Sequence, residues 1–448
     1  VLVLTVASLV GWTVLHHLGG PALVGVLVSV VVGLVLVLAW RRMLPARATR
    51  VLSMVGKSKE EGGRLRLRRL SRRGHVWHIA WRVPVGVTVT GLQRQREAIE
   101  QALNASVTLW FDRGLVHMRA GTARLPGGLR FEDFCRRAPA GGELPVAIGA
   151  SRFGPLWADL AALPHLLVGG LAGGGKTAFV RQLLVGLVLR LPPERLRLAL
   201  LDLKGMEFGL FGRLPHLVAP MARELETSLA VLGAACEELD RRQAAFAGAG
   251  VEALAAWNEA RPDETLPYVL VVVDECAELS VAEVSDREER ARRQQALAHL
   301  SRLCRLGRAS GIHVIVCTQR PDAEAVPGQV KANIPATVAF RVRNETNSRI
   351  LLGEGGESAA ALPPLAGRGV WQWDVETVFQ APWLGPKSAR LLLEAAYPPV
   401  LAVGSARATP TLNVQTRRPR SGADAPVLGR GHPPPVRPGR RAGRGVGG

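Results

Sequence analysis

Residues 167–180 read LVGGLAGGGKTAFV, five glycines and a lysine between two apolar runs. Glycine inside regular structure costs about 0.5–1 kcal/mol relative to alanine, so the cluster needs a chemical reason. Gly170, Leu171, Ala172, Gly173, Gly174, Gly175, Lys176 and Thr177 fit the pattern G-x-x-x-x-G-K-[ST], with a strand-like run before it and a helix-like run after it. Such glycines let successive backbone N–H groups turn inward around phosphate oxygens, and the following helix adds its positive dipole end. In that cradle Lys176 reaches the β- and γ-phosphates of ATP, and the Thr177 hydroxyl ligates Mg2+.

Further along, YVLVVVDEC ends an apolar strand in Asp274 and Glu275. A carboxylate at a strand tip near the phosphate loop is where Mg2+ needs a ligand, which gives Asp274 that role. Glu275 is then placed to orient or deprotonate the attacking water. Gln319 follows the strand HVIVCT, where a polar side chain senses the γ-phosphate. Arg308, in LGRASGIH, is positioned to project toward a neighbouring subunit.

These residues need a scaffold, and the apolar runs supply one. HLLVG, LRLALLD, YVLVVVD, HVIVCTQ and ATVAFRV are short, nearly continuous apolar stretches, as strands covered on both faces should be. Helical stretches at 176–190, 224–247 and 286–309 separate them, which predicts an α/β domain with a mainly parallel sheet over residues 151–386. Residues 76–150 read as a small α+β module. VWHIAWRVP and SVTLWFDRGLVHMRA alternate like strands, with GLQRQREAIEQALNA as a helix between them. Residues 41–75 read as a basic linker, and residues 387–448, rich in Arg, Pro and Gly, as a disordered tail.

At the start, residues 21–40 carry no charge over twenty positions, enough helix to cross about 30 Å of hydrocarbon. Residues 1–18 form a second apolar run, so 1–40 is expected to be a two-span hairpin. RRMLPARATR follows, which places everything after Trp40 on the inner, cytoplasmic side of the membrane. A cleaved signal peptide is the weaker reading, for no charged leader precedes the run. The net charge of +20 is concentrated at two places, +11 in 41–82 and +8 in 405–448, so the central domain is close to neutral. The five cysteines show no paired C-x-x-C spacing and fit a reducing compartment better than a zinc site.

HLLVGGLAGGGKT, LLDLKGMEFGLFGRLPHL, VLVVVDECAEL, the long block LGRASGIHVIVCTQRPDAEAVPGQVKANIPATVAFRVRNETNSRILLGEGG and GRGVW together resemble the FtsK/SpoIIIE motor domain. The resemblance covers roughly residues 150–385 in family order. It implies a RecA-like fold, a ring of six subunits, and ATP-driven translocation of double-stranded DNA. It also implies that Arg308 is a trans-acting finger and Gln319 a sensor, and it includes Asp202, Lys204 and Glu207 without assigning them a step. The chain departs from the family at LAGGGKT, where relatives often read TTGSGKS, and at Cys276, Glu278 and Glu345. The short anchor and small α+β module resemble the transfer proteins of actinobacterial conjugative plasmids and integrative elements. Two other readings compete with a DNA pump: a type VII secretion-like ATPase moving proteins, and a non-motor nucleotide-binding membrane scaffold.

Overall fold

The computed structural model describes residues 44–52 and 65–398, apart from 85–86, 140, 206, 283, 322–324, 354–355, 357 and 374. The expected hairpin at 1–40 lies outside the described residues. Among those described, no helix is long and apolar enough to cross a membrane.

The first sheet has four antiparallel strands: β1 (Arg66–Arg73), β2 (Val76–Arg82), β3 (Ser106–Asp112) and β4 (Leu115–Gly121), in the order β1-β2-β4-β3. Alternation puts Trp77, Ile79, Trp81, Val116 and Met118 on one face. There they pack with Leu92, Ile99 and Leu103 of the helices Val89–Arg94 and Arg96–Leu103. Residues 44–52, expected as part of a linker, are helical and belong to this core through Ala48 and Leu52. The Trp81 indole N–H donates to the Thr49 hydroxyl at 3.0 Å. Strand β1 also falls in the expected linker. Its arginines hid it, because an edge strand with no buried side chain gives no apolar alternation to read.

The second sheet holds the remaining strands: β5 (Pro145–Ser151), β6 (Gly154–Asp159), β7 (His165–Gly169), β8 (Leu196–Leu201), β9 (Tyr268–Val273), β10 (Ile312–Thr318), β11 (Ala336–Phe340), β12 (Arg368–Gln372) and β13 (Thr377–Gln380). Their order is β6-β5-β13-β12-β11-β7-β10-β9-β8. From β11 to β8 every pairing is parallel. The five apolar runs recognised in the sequence are these strands, and all but one of their residues are buried. The sheet is nevertheless mixed, because β12, β13, β5 and β6 add antiparallel strands at one edge. Thus β5 and β6 belong to the α/β domain, and the α+β module ends with β4 rather than at residue 150.

Along β9, Val269, Val271 and Val273 face one layer while Leu270 and Val272 face the other. Helix Lys176–Val188 covers the second layer through Phe179, Leu183 and Leu187. Helices Leu225–Ala249 and Arg287–Leu306 cover the first through Val231, Leu239, Leu300 and Leu303. Each such side chain, fully buried, contributes about 1.5–3 kcal/mol. Helix Pro386–Ala396 falls in the expected tail, yet it buries Ala389 and Leu393 against the same core. The Tyr397 hydroxyl beyond it donates to the Val188 carbonyl at 2.7 Å. The ordered domain therefore extends past residue 386.

Candidate functional site

The glycine-rich segment runs from the end of β7 into helix Lys176–Val188, and two glycines are required there by geometry. Gly170 has φ +149°, and a Cβ on it would stand 2.7 Å from the Phe340 Cβ. Gly175 has φ +114°, and its Cβ would stand 2.7 Å from the backbone nitrogen of Gly367. The loop is held from outside: the Gly367 N–H donates to the Gly174 carbonyl at 2.9 Å, and the Leu171 N–H to the Arg341 carbonyl at 3.0 Å. Phe179 makes the first helical bond back to Gly175. The amides of Lys176, Thr177 and Ala178 therefore precede the ladder, and no side chain caps this end. Thr177 is half-buried beside them.

Sequence reasoning treats the carboxylate-bearing strand as a neighbour of the phosphate-loop strand. In the sheet, β10 lies between β7 and β9. The lysine bridges that extra strand. Lys176 Nζ donates to the Asp274 carbonyl at 3.0 Å and lies 3.2 Å from its Oδ1, with both side chains almost wholly buried. Burial opposes the Lys176 charge, but the Asp274 and Glu275 carboxylates beside it hold its pKa above the ordinary lysine value. Burial pushes the Asp274 carboxyl up, and Lys176 pulls the other way. Asp274 Oδ2 is buried without a hydrogen-bond partner among the described residues. An anionic oxygen left open beside a run of unpaired amides is a fitting donor set for a Mg2+-bound triphosphate.

Glu275 is 2% exposed and held at both oxygens. Its Oε2 accepts from the Gln319 backbone N–H at 2.9 Å and from Lys204 Nζ at 3.4 Å, and its Oε1 from the Ala277 N–H at 3.4 Å. Gln319 is half-buried at the tip of β10, directly beside β7. Asp202, at the tip of β8, accepts from the amides of Glu207 and Phe208 and so shapes the loop that carries Lys204. The pairing of Lys204 with Glu275 was missed in the sequence, where only the shared family block pointed to it.

Arg308 is not brought to this site. It is exposed in the turn before β10, at the opposite end of a strand of seven residues, which at about 3.3 Å per residue spans some 20 Å. The turn is well fixed. Gly311 N–H donates to the Arg308 carbonyl at 3.1 Å, and the buried Arg242 donates to the Ser310 carbonyl at 2.9 Å.

A cavity of about 390 Å³ opens beside the cradle, lined by Gly175, Ala178, Phe179, Gly367, Leu129 and Trp383 among others. Its walls are mostly apolar and half open. No sequence motif pointed to it, since its lining comes from four separate segments.

A nucleotide cradle, a buried lysine–aspartate pair and a glutamate at adjoining tips of a mostly parallel sheet define a P-loop ATPase fold. Residues 140–323 match the FtsK/SpoIIIE family, and the chain carries an FtsK/SpoIIIE domain. It is 34% identical over 230 residues to the DNA translocase FtsK of Helicobacter pylori, covering 50% of this chain and 25% of the relative. Identity to the DNA translocase SpoIIIE of Bacillus subtilis is 33% over 224 residues, covering 48% and 27%. The chain thus spans about a quarter of the length of these relatives. Among solved structures, the pCW3 conjugation coupling protein TcpA superposes with a TM-score of 0.56 at 23% identity. That match covers 79% of this chain and 99% of that one, a likeness of fold.

Proposed function

We propose that this chain is a membrane-anchored ATPase that moves double-stranded DNA through a ring of identical subunits, six by family resemblance, in conjugative transfer or DNA segregation. The carrying observation is the buried contact of Lys176 with Asp274 beside Glu275, in a domain shared with proteins named DNA translocases. In this reading the amides of Gly173, Gly175, Lys176 and Thr177 and the Lys176 ammonium bind the phosphates. Thr177 and Asp274 would hold Mg2+, which when bound neutralises charge on the phosphate oxygens. The apolar cavity beside Gly175 takes the base. Glu275 accepts the proton of the attacking water, and the bonds from Gln319 and Lys204 hold its carboxylate in a fixed direction.

Arg308 stands too far from the phosphate loop of its own chain to serve it, and in this reading, which follows the family resemblance, it acts on a neighbour's nucleotide. Contacts to DNA are to phosphates and therefore independent of sequence. The near-neutral charge of the central domain is compatible with this, because only the inner surface of a ring needs cations. The uncharged run 21–40 followed by arginines supports anchoring at the inner face of the cell membrane.

Phosphate release by the full chain, with and without duplex DNA, tests the reading. Stimulation by duplex DNA is expected, and Glu275→Gln should bind ATP while losing turnover. A chain stimulated only by a peptide, or one showing no turnover at all, would remove the DNA pump.

A further inference from the structure

Among the described residues, the helices of the four-stranded module cover only one of its two sheet faces. Its helices all pack on the side of Trp77, Ile79 and Trp81. The register of the strands fixes what stands on the other side. Arg66 pairs with Arg82, Arg69 with Ala80, Ser71 with His78 and Arg73 with Val76. Across the sheet, His78 pairs with Arg119 and Ala80 with His117, and those two face Thr108 and Trp110 on β3. Directly opposed residues share a face, so Arg66, Arg69, Arg73, Arg82 and Arg119 form one exposed basic surface. With strands about 4.8 Å apart and residues rising about 3.4 Å, the surface measures roughly 15 by 20 Å.

Among the described residues, no carboxylate interrupts this face until Asp112, at the β3–β4 turn, which lies 4.0 Å from Arg113. None of the five arginines has an ion pair among the described residues. Burial, then Arg119 and Arg73, push the His78 pKa below its ordinary value, in keeping with a positive field over the sheet. The surface continues onto the α/β domain. Arg119 lies over the Phe153 ring at 4.7 Å, and the adjoining Arg152 donates to the Asn104 carbonyl at 3.0 Å. One corner carries Trp110 stacked on His117 at 5.2 Å.

We infer that this open face binds the phosphate backbone of duplex DNA, as a second contact separate from the ATPase site. The inference rests on the DNA reading above. Five guanidiniums on one sheet face, with no ion pair among the described residues, match a polyanion, and they select no sequence because they reach phosphates rather than bases. A lipid surface fits less well. The exposed leucines of β1, Leu67 and Leu70, are in register with Trp81 and Ile79 and so point away from the arginine face. A headgroup layer would be entered by apolar side chains flanking the charges, and here they stand on the opposite side.

The test uses the full chain in detergent and a labelled duplex of random sequence, followed by fluorescence anisotropy without nucleotide between 50 and 200 mM salt. Neutralising four arginines together (Arg66→Gln, Arg69→Gln, Arg82→Gln, Arg119→Gln) should weaken binding at least about tenfold. The plot of log K against log salt should flatten by about 3–4, near 0.9 for each phosphate contact removed. The same four positions changed to lysine should keep both affinity and slope, and DNA-free ATP hydrolysis should be unchanged in both variants. A glutamine variant with wild-type affinity and slope, in a chain whose hydrolysis DNA still stimulates, overturns this inference alone. Loss of binding to anionic vesicles with DNA binding intact overturns it in favour of a membrane contact. A wild-type chain that binds no duplex removes the translocase reading as well.

Discussion

The Gly175 Cα lies so close to Gly367 that a side chain between them would meet backbone, at 2.7 Å from nitrogen and 2.9 Å from Cα. The phosphate loop is therefore clamped by the segment leading into β12, and the clamp is fastened by the bond from Gly367 N–H to Gly174. Gly175→Ala should strain the loop by about 1–3 kcal/mol and weaken ATP binding by about tenfold or more. Gly173→Ala, with φ +78° but open space around it, should be milder. Titration with a slowly hydrolysed ATP analogue ranks the two; equal effects would show that the clamp has no part in binding.

Asp274→Ala would leave the Lys176 ammonium buried without its carboxylate. Removing one partner of a buried pair costs about 3–5 kcal/mol, whereas replacing both with apolar residues of similar volume is often neutral. The double change Lys176→Met with Asp274→Leu should therefore recover most of the stability lost by Asp274→Ala, while binding no nucleotide. Urea midpoints in nucleotide-free buffer measure this. A double variant as unstable as the single one would contradict it.

Arg242 is fully buried, bonded to Glu238 at 2.7 Å and to the Ser310 carbonyl in the turn that presents Arg308. Arg242→Met should cost about 3 kcal/mol and loosen that turn. At a temperature where the variant stays folded, ATP binding should persist while turnover falls. Unaltered turnover would detach Arg242 from the presentation of Arg308.

His165 and His313 sit neutral in the core where β7 and β10 begin. Burial presses their pKa values down to about 3 and about 4. Unfolded, both return to about 6.5. The unfolded chain thus binds up to two more protons below pH 6.5. The stability these residues contribute is whole above that pH and is lost as pH falls from 6.5 toward 4. The two together give a slope of at most about 2.7 kcal/mol per unit, steepest near pH 5. Denaturation at pH 7 and pH 5, in the wild type and in His165→Asn with His313→Asn, should show the slope reduced in the variant.

How much of this could be read beforehand differs by residue. The β7, β9 and β10 runs announce themselves because strands covered on both faces are apolar at every position. The antiparallel strands do not: β6, β12 and β13 mix polar with apolar residues over four to six positions, and β5 carries a proline and a glycine that break its apolar run. Helix Pro386–Ala396 lay hidden beside the arginine-rich end of the chain, although Leu393 and Tyr397 tie it to the core.

By itself the sequence determined the cradle from Gly170 to Thr177, the carboxylates Asp274 and Glu275, and the alternation of strands and helices, because these are local patterns of residue type and spacing. Only the tertiary structure decided that β10 separates β7 from β9 and that Lys176 crosses it to Asp274. It also placed Lys204 against Glu275 and kept Arg308 at the far end of the strand. Strand order and contacts between distant segments follow from how whole faces bury against one another, and no short stretch of sequence encodes that.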